Sequence, residues 1–178
     1  MLKATIVYII DPDTQEVLMA RKVRKVGIGY WFGYGGKIEE GQTPEECMFE
    51  ETFKESGNVI RLKVENLERV ALMKFFNGED LDPVFDEPTF TVLCYRIFQR
   101  KSELGGIPQT TDEMSDPTWF HISRIPWNIA GEMKPGDEVF VPKILSGELT
   151  KGYVHFSKDA KQVYSSTTTP CLIEDLVI

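Results

Sequence analysis

A chain of 178 residues, 42% hydrophobic and 27% charged, has the length for one domain with a sizeable core and is too apolar to stay disordered. A net charge of -8 argues against a broad footprint on a nucleic acid polymer, but a small phosphorylated ligand fits if a divalent cation offsets its charge. Cys47, Cys94 and Cys171 are odd in number without C-x-x-C spacing, and His121 and His155 lie far apart, so zinc has little support and reduced thiols in the cytoplasm are expected.

In chain order, residues 3–10 are β-branched and aromatic and read as a strand, closed by the turn signal DPDTQ at 11–15. The apolar run at 4–10 is too short to span a bilayer and carries no leader-like flanks, so no membrane partner is expected. EVLMARK, 16–22, returns as a second strand. The clearest helix follows: Thr43 is its N-cap, Pro44 fits the first position, Glu46 completes a capping box and Gly57 is a left-handed stop. Cys47, Met48, Thr52 and Phe53 form the stripe expected to face the core. Glu51 and Glu55, four apart, share a different face.

Further strands are expected near 60–76, at 88–98, at 119–121 and at 152–157. The acid-rich insert NGEDLDPVFDEP, 77–88, reads as a solvated hairpin loop. A second helix is expected at 137–147, with Pro142 tolerated best in a first turn. SSTTTP at 165–170 reads as a flexible lead into a short apolar tail. Strands and helices in this order predict an α/β sandwich in one domain, its core about 3–160 and its tail about 161–178.

The stretch GGKIEEGQTPEECMFEETFKESGN at 35–58 gathers carboxylates beside a glycine turn. Glu51 and Glu55 at i,i+4 weaken a helix by a few tenths of a kcal/mol, and most such pairs are simply solvated. A hard-cation site is the sharper reading, because magnesium takes one or two carboxylates, waters and substrate phosphates, and glycines let backbone approach closely.

This stretch resembles the Nudix box, G-x5-E-x7-R-E-U-x-E-E-x-G-U with U bulky and apolar. YWFGYGGKIEEG, TTDEMSDPTWFHISRIPW, MKPGDEVFVP and KGYVHFS fall in the order seen in MutT-type oxidised-purine nucleoside triphosphatases, extending the resemblance over about 3–158. It implies a Nudix-type α/β/α sandwich with a mixed sheet. The implied activity is Mg²⁺- or Mn²⁺-dependent hydrolysis of a diphosphate linkage in a small nucleotide, by a monomer or homodimer. Gly36, Glu51, Glu55 and Gly57 match the box, whereas Gln42, Glu50, Lys54 and Asn58 depart from it.

The resemblance implies metal ligands at Gly35 (backbone carbonyl), Glu51, Glu55 and Glu113, with Asp112 as an alternative, and catalysis by Glu51 and Glu55. It implies substrate contacts at Asp137, Lys22, Thr5, Phe76 and Met114. Phe32, Lys134 and Gly136 stand where relatives have an Asn, a stacking Trp and a first purine-reading acid. The competing reading is a nucleotide-binding protein whose altered box no longer supports catalysis.

Overall fold

The computed structural model describes residues 1–24, 27–127 and 129–178. One eight-stranded mixed sheet organises them: β1 (Leu2–Asp11), β2 (Glu16–Lys22), β3 (Trp31–Phe32), β4 (Leu67–Asn77), β5 (Phe90–Phe98), β6 (Met114–His121), β7 (Thr150–Phe156) and β8 (Val163–Pro170). The order is β3-β2-β1-β5-β4-β7-β8, with β6 paired to β2. The β1–β5 and β4–β7 pairs are parallel and the others antiparallel.

Helix α1 (Pro44–Glu55) and helix α2 (Asp137–Ser146) cover opposite faces. β1 shows how: Val7 and Ile9 join Met48 of α1 in one core, while Tyr8 and Ile10 join Phe140, Val141 and Ile144 of α2 in the other. A strand with both faces covered must be apolar throughout, which is why residues 4–10 read as a continuous run rather than an alternation. Each such large side chain, fully buried, contributes roughly 1.5–3 kcal/mol. The expected sandwich is the observed one.

Local chemistry sets the ends of both helices. Thr43 Oγ1 accepts from Glu46 N (3.2 Å) and Glu46 Oε2 accepts from Thr43 N (2.8 Å), a reciprocal capping box ahead of Pro44. Gly57 leaves α1 in the left-handed region (φ 80°). In α2, Pro142 lies in the second turn rather than the first, so the carbonyl of Glu138 loses its helical donor.

Three segments differ from expectation. Residues 60–66 form no strand; a 3-10 turn at Val64–Asn66 leads into β4. β6 begins at Met114, five residues before the 119–121 segment, because it pairs antiparallel along most of β2. Residues 165–170 are no flexible lead: they lie in β8, paired with β7 from Thr150↔Pro170 onward. The apolar end then docks, with Leu176 fully buried in the α1-side core. Among the described residues, no helix is long and apolar enough to cross a membrane.

Candidate active site

The glycine turn after β3 runs alongside β1. Thr5 N donates to the Gly36 carbonyl (2.8 Å) and Val7 N to the Tyr34 carbonyl (2.7 Å). Gly35 sits at φ 146°, and a Cβ there would lie 2.2 Å from the Thr5 carbonyl oxygen. At Gly36 a Cβ would meet the Glu51 carboxylate at 2.8 Å. Only glycines let this turn pass between β1 and the helix while leaving room for Glu51.

Glu55 closes the last turn of α1 and is 3% exposed. Its Oε1 accepts from Lys22 Nζ at 2.6 Å and its Oε2 from Gly35 N at 3.1 Å. Burial pushes its pKa above the usual carboxylate value, with the Lys22 ammonium and the Gly35 N–H opposing. Sequence reading had Glu51 and Glu55 off the buried stripe; for Glu55 the structure corrects this. Cys47, Glu51 and Glu55 follow one another at i, i+4, i+8, and Glu55 is buried with Cys47, Met48 and Thr52.

Glu51 accepts from Lys54 Nζ at 3.0 Å, a closer pairing than the 3.8 Å between Lys54 and Glu50. Gln42 Nε2 donates to Glu50 Oε2 at 3.1 Å, so these two residues still clasp the turn to the helix. The loop before β6 is tied to the end of α1, with Gln109 N donating to the Ser56 carbonyl (3.0 Å) and Thr111 Oγ1 to the Glu55 carbonyl (3.4 Å). That anchorage presents Asp112 and Glu113, which meet Arg24 at 3.1 and 2.5 Å.

A single cavity of about 890 Å³ runs from these acids to a floor beneath α2. It brings together Thr5, Lys22, Phe32, Gly35, Glu51, Glu55, Glu113, Lys134 and Asp137. The floor is pinned to β3: Trp31 N donates to the Glu132 carbonyl (2.9 Å) and Trp31 Nε1 to Glu132 Oε2 (2.7 Å). Lys134 holds its ammonium 3.8 Å from the centroid of Phe156 and 5.3 Å from that of Phe75. Asp137 is 2% exposed, and its Oδ2 has no hydrogen-bond partner. Leaving such a group unsatisfied costs about 1–3 kcal/mol, a burden usually tolerated where a ligand relieves it.

Phe76 and Met114 are not brought to the cavity. Phe76 is fully buried edge-on to Tyr153, and Met114 belongs to the α1-side core. Their places are taken by Phe75, Tyr8, Cys94 and Phe140, which sequence reading missed. The signal for Tyr8 was present in the period of two along β1, since Tyr8 and Ile6 share a face. Arg24, the partner of Glu113, had no sequence signal of its own.

The chain matches the model of the NUDIX domain over residues 1–144. It belongs to the NUDIX family. It is 33% identical over 153 residues to the oxidized purine nucleoside triphosphate hydrolase of Danio rerio, with 85% of each chain covered. Identity to the Mus musculus protein of the same name is 31% over 153 residues, again covering 85% of each. Among solved structures, the MutT protein of Bacillus halodurans superposes with a TM-score of 0.70 at 21% identity, over 97% of this chain and 100% of that one, a likeness of fold.

The donor set of this Nudix site suits a hard divalent cation: its side-chain donors are all carboxylates, and the glycine turn borders it. Among the described residues no three acidic, His or Cys side chains already converge on one point. Lys22, Lys54 and Arg24 instead supply positive charge to Glu55, Glu51 and Glu113. Lys54 is largely exposed, so it can withdraw from Glu51 without disturbing the core.

Proposed function

We propose that this Nudix protein hydrolyses the diphosphate linkage of a nucleoside triphosphate or a related nucleoside diphosphate derivative. The observation that carries the reading is one cavity joining a carboxylate-lined helix end to an aromatic floor where Asp137 Oδ2 has no hydrogen-bond partner, which suits phosphates at one end and a base at the other. The names of the fish and mouse relatives support the same substrate class.

Glu51, Glu55 and Glu113, with the Gly35 carbonyl, are the groups that would hold Mg²⁺ or Mn²⁺. When bound, the ion supplies charge neutralisation at phosphate oxygens. Lys22 reaches the same end of the cavity and provides a second cation for a phosphate. Glu51, more open than Glu55, orients a water and takes its proton as the oxygen adds to phosphorus and the diphosphate P–O bond breaks. Thr5 and Phe32 line the passage to the floor, where Lys134 and Asp137 meet the base. We place the protein in the cytoplasm, as free Cys47, Cys94 and Cys171 support, and read it as a monomer or homodimer.

The competing reading, a nucleotide-binding protein without turnover, is favoured by one observation: all three candidate ligands are already paired with basic side chains. Incubation with a nucleotide panel, with and without Mg²⁺ or a chelator, separates the two. Metal-dependent release of phosphate or pyrophosphate supports the hydrolase; binding without release supports its competitor.

A further inference from the structure

The cavity floor carries two ionisable groups that the chemistry at α1 does not use. Lys134 and Asp137 stand at the two ends of one tight turn, in which Asp137 N donates to the Lys134 carbonyl at 3.1 Å. Gly136 makes that turn possible, lying at φ 91° where a Cβ would come within 2.9 Å of Val154 Cγ1. Both side chains are buried, both line the cavity, and Phe32, Phe75 and Phe140 give it flat apolar walls.

The polarity of this floor is fixed by Lys134. Among the described residues its ammonium faces aromatic rings and has no hydrogen-bond acceptor. An ammonium offers donors only, so a ligand seated against it must present an acceptor. Asp137 is adaptable: burial pushes its carboxyl up to about 7, so it serves as acceptor or, when protonated, as donor. A ring carbonyl oxygen stands clear of its ring and offers two in-plane lone pairs, with a ring N–H beside it for Asp137. An exocyclic amino group in the same place turns N–H toward the ammonium.

We propose that Lys134, seated over Phe156 beside Asp137, whose Oδ2 has no hydrogen-bond partner, makes this cavity select a nucleobase bearing a ring carbonyl over one bearing an amino group in its place. The assignment rests on the reading of the cavity as a nucleotide site. It makes Lys134 a specificity-determining residue, with oxo bases as the substrate class.

Deoxyinosine and deoxyadenosine triphosphates test it, because they differ only in the 6-oxo, N1–H edge against the 6-amino edge. Binding of their non-hydrolysable imido analogues is measured by calorimetry, and hydrolysis of the parent nucleotides by kcat/KM. The expected result is an oxo preference of about tenfold or more, the scale of one charge-assisted hydrogen bond. Lys134→Met should bring the ratio to near unity. The double variant Lys134→Met/Asp137→Asn, which removes both buried charges, provides a folded comparator if the single variant is unstable. Equal binding of the two analogues, or a preference that persists in a folded Lys134 variant, overturns the proposal. Oxo-selective binding without turnover keeps it and removes the hydrolase reading; turnover without selectivity does the reverse. Binding of neither analogue overturns both.

Discussion

Lys22 Nζ donates to Glu55 Oε1 across 2.6 Å, joining the end of β2 to the last turn of α1 around a carboxylate that is almost wholly enclosed. A buried carboxylate held by one ammonium and one backbone N–H is fixed in position, yet burial raises its pKa despite both partners. In the proposed hydrolase this pair would exchange its cation, a substrate phosphate competing for Lys22 and a metal for Glu55.

Glu55→Gln keeps the shape and removes the charge. We expect kcat to fall by at least about two orders of magnitude, the scale of losing one charge stabiliser at a reacting centre. Steady-state turnover, with the melting temperature as a check on folding, measures it. Near-normal turnover in a folded variant would take Glu55 out of the site.

Lys54 stands where the box has an acid, and it engages Glu51 at 3.0 Å while remaining 61% exposed. Lys54→Glu removes that competitor and adds a carboxylate, so the metal midpoint should move to lower Mg²⁺ concentration by about tenfold, the effect of one restored charge interaction. Titration of Mg²⁺ against melting temperature with nucleotide present reads this independently of turnover. An unmoved midpoint would show that Lys54 does not contend with the metal.

The frame of this site was legible because its signals are local. Thr43, Pro44, Glu46 and Gly57 mark α1 through capping chemistry that a few residues decide. Facing is a tertiary matter, and there the sequence misled. β4 carries a register shift between Arg69 and Ala71, so one extra residue flips every side chain beyond it. Counted from Leu67 without that bulge, Phe76 faces the cavity; with it, Phe75 does. The polar β8 was missed for a related reason. An edge strand with no buried side chain has no hydrophobic alternation to betray it, and its pairing with β7 is made by backbone.

Substrate choice gives a third prediction. With Phe32 in the passage, Lys134 at the floor and Gly136 offering no side chain, the guanine features that the proposed site would contact are shared by guanine and its 8-oxo form. The ratio of kcat/KM for 8-oxo-dGTP over dGTP should stay below about a hundredfold, because strong discrimination needs a buried group left unpaired by the poorer substrate. A larger ratio would require a reader of the 8-position that these residues do not provide.

The last prediction concerns pH. Asp137 is raised to about 7, first by burial and then by neighbouring Glu138, with Lys134 opposing. In the unfolded chain an Asp titrates near 3.9. Between those values the folded protein holds a proton that the unfolded chain has lost, so stability falls as pH rises through the window, by on the order of 4 kcal/mol at most. Below about pH 4 the penalty is absent, and above about pH 7 it is complete. Tyr8 and Cys94, which also face Asp137, are both pushed up by burial and stay neutral throughout. Lys134 is lowered by burial, which acts with the opposite sign but only between its lowered value and its ordinary alkaline one. Asp137→Asn cannot ionise, so the difference between the two proteins reads Asp137 together with its coupling to Lys134, whose pKa the Asp137 charge raises, while groups that do not face Asp137 cancel. Melting temperatures compared from pH 5 to pH 8 should shift by several degrees in favour of the Asn variant as pH rises. A difference that stays flat across this range would mean that Asp137 titrates at an ordinary carboxylate pKa and is not the strained group at the cavity floor.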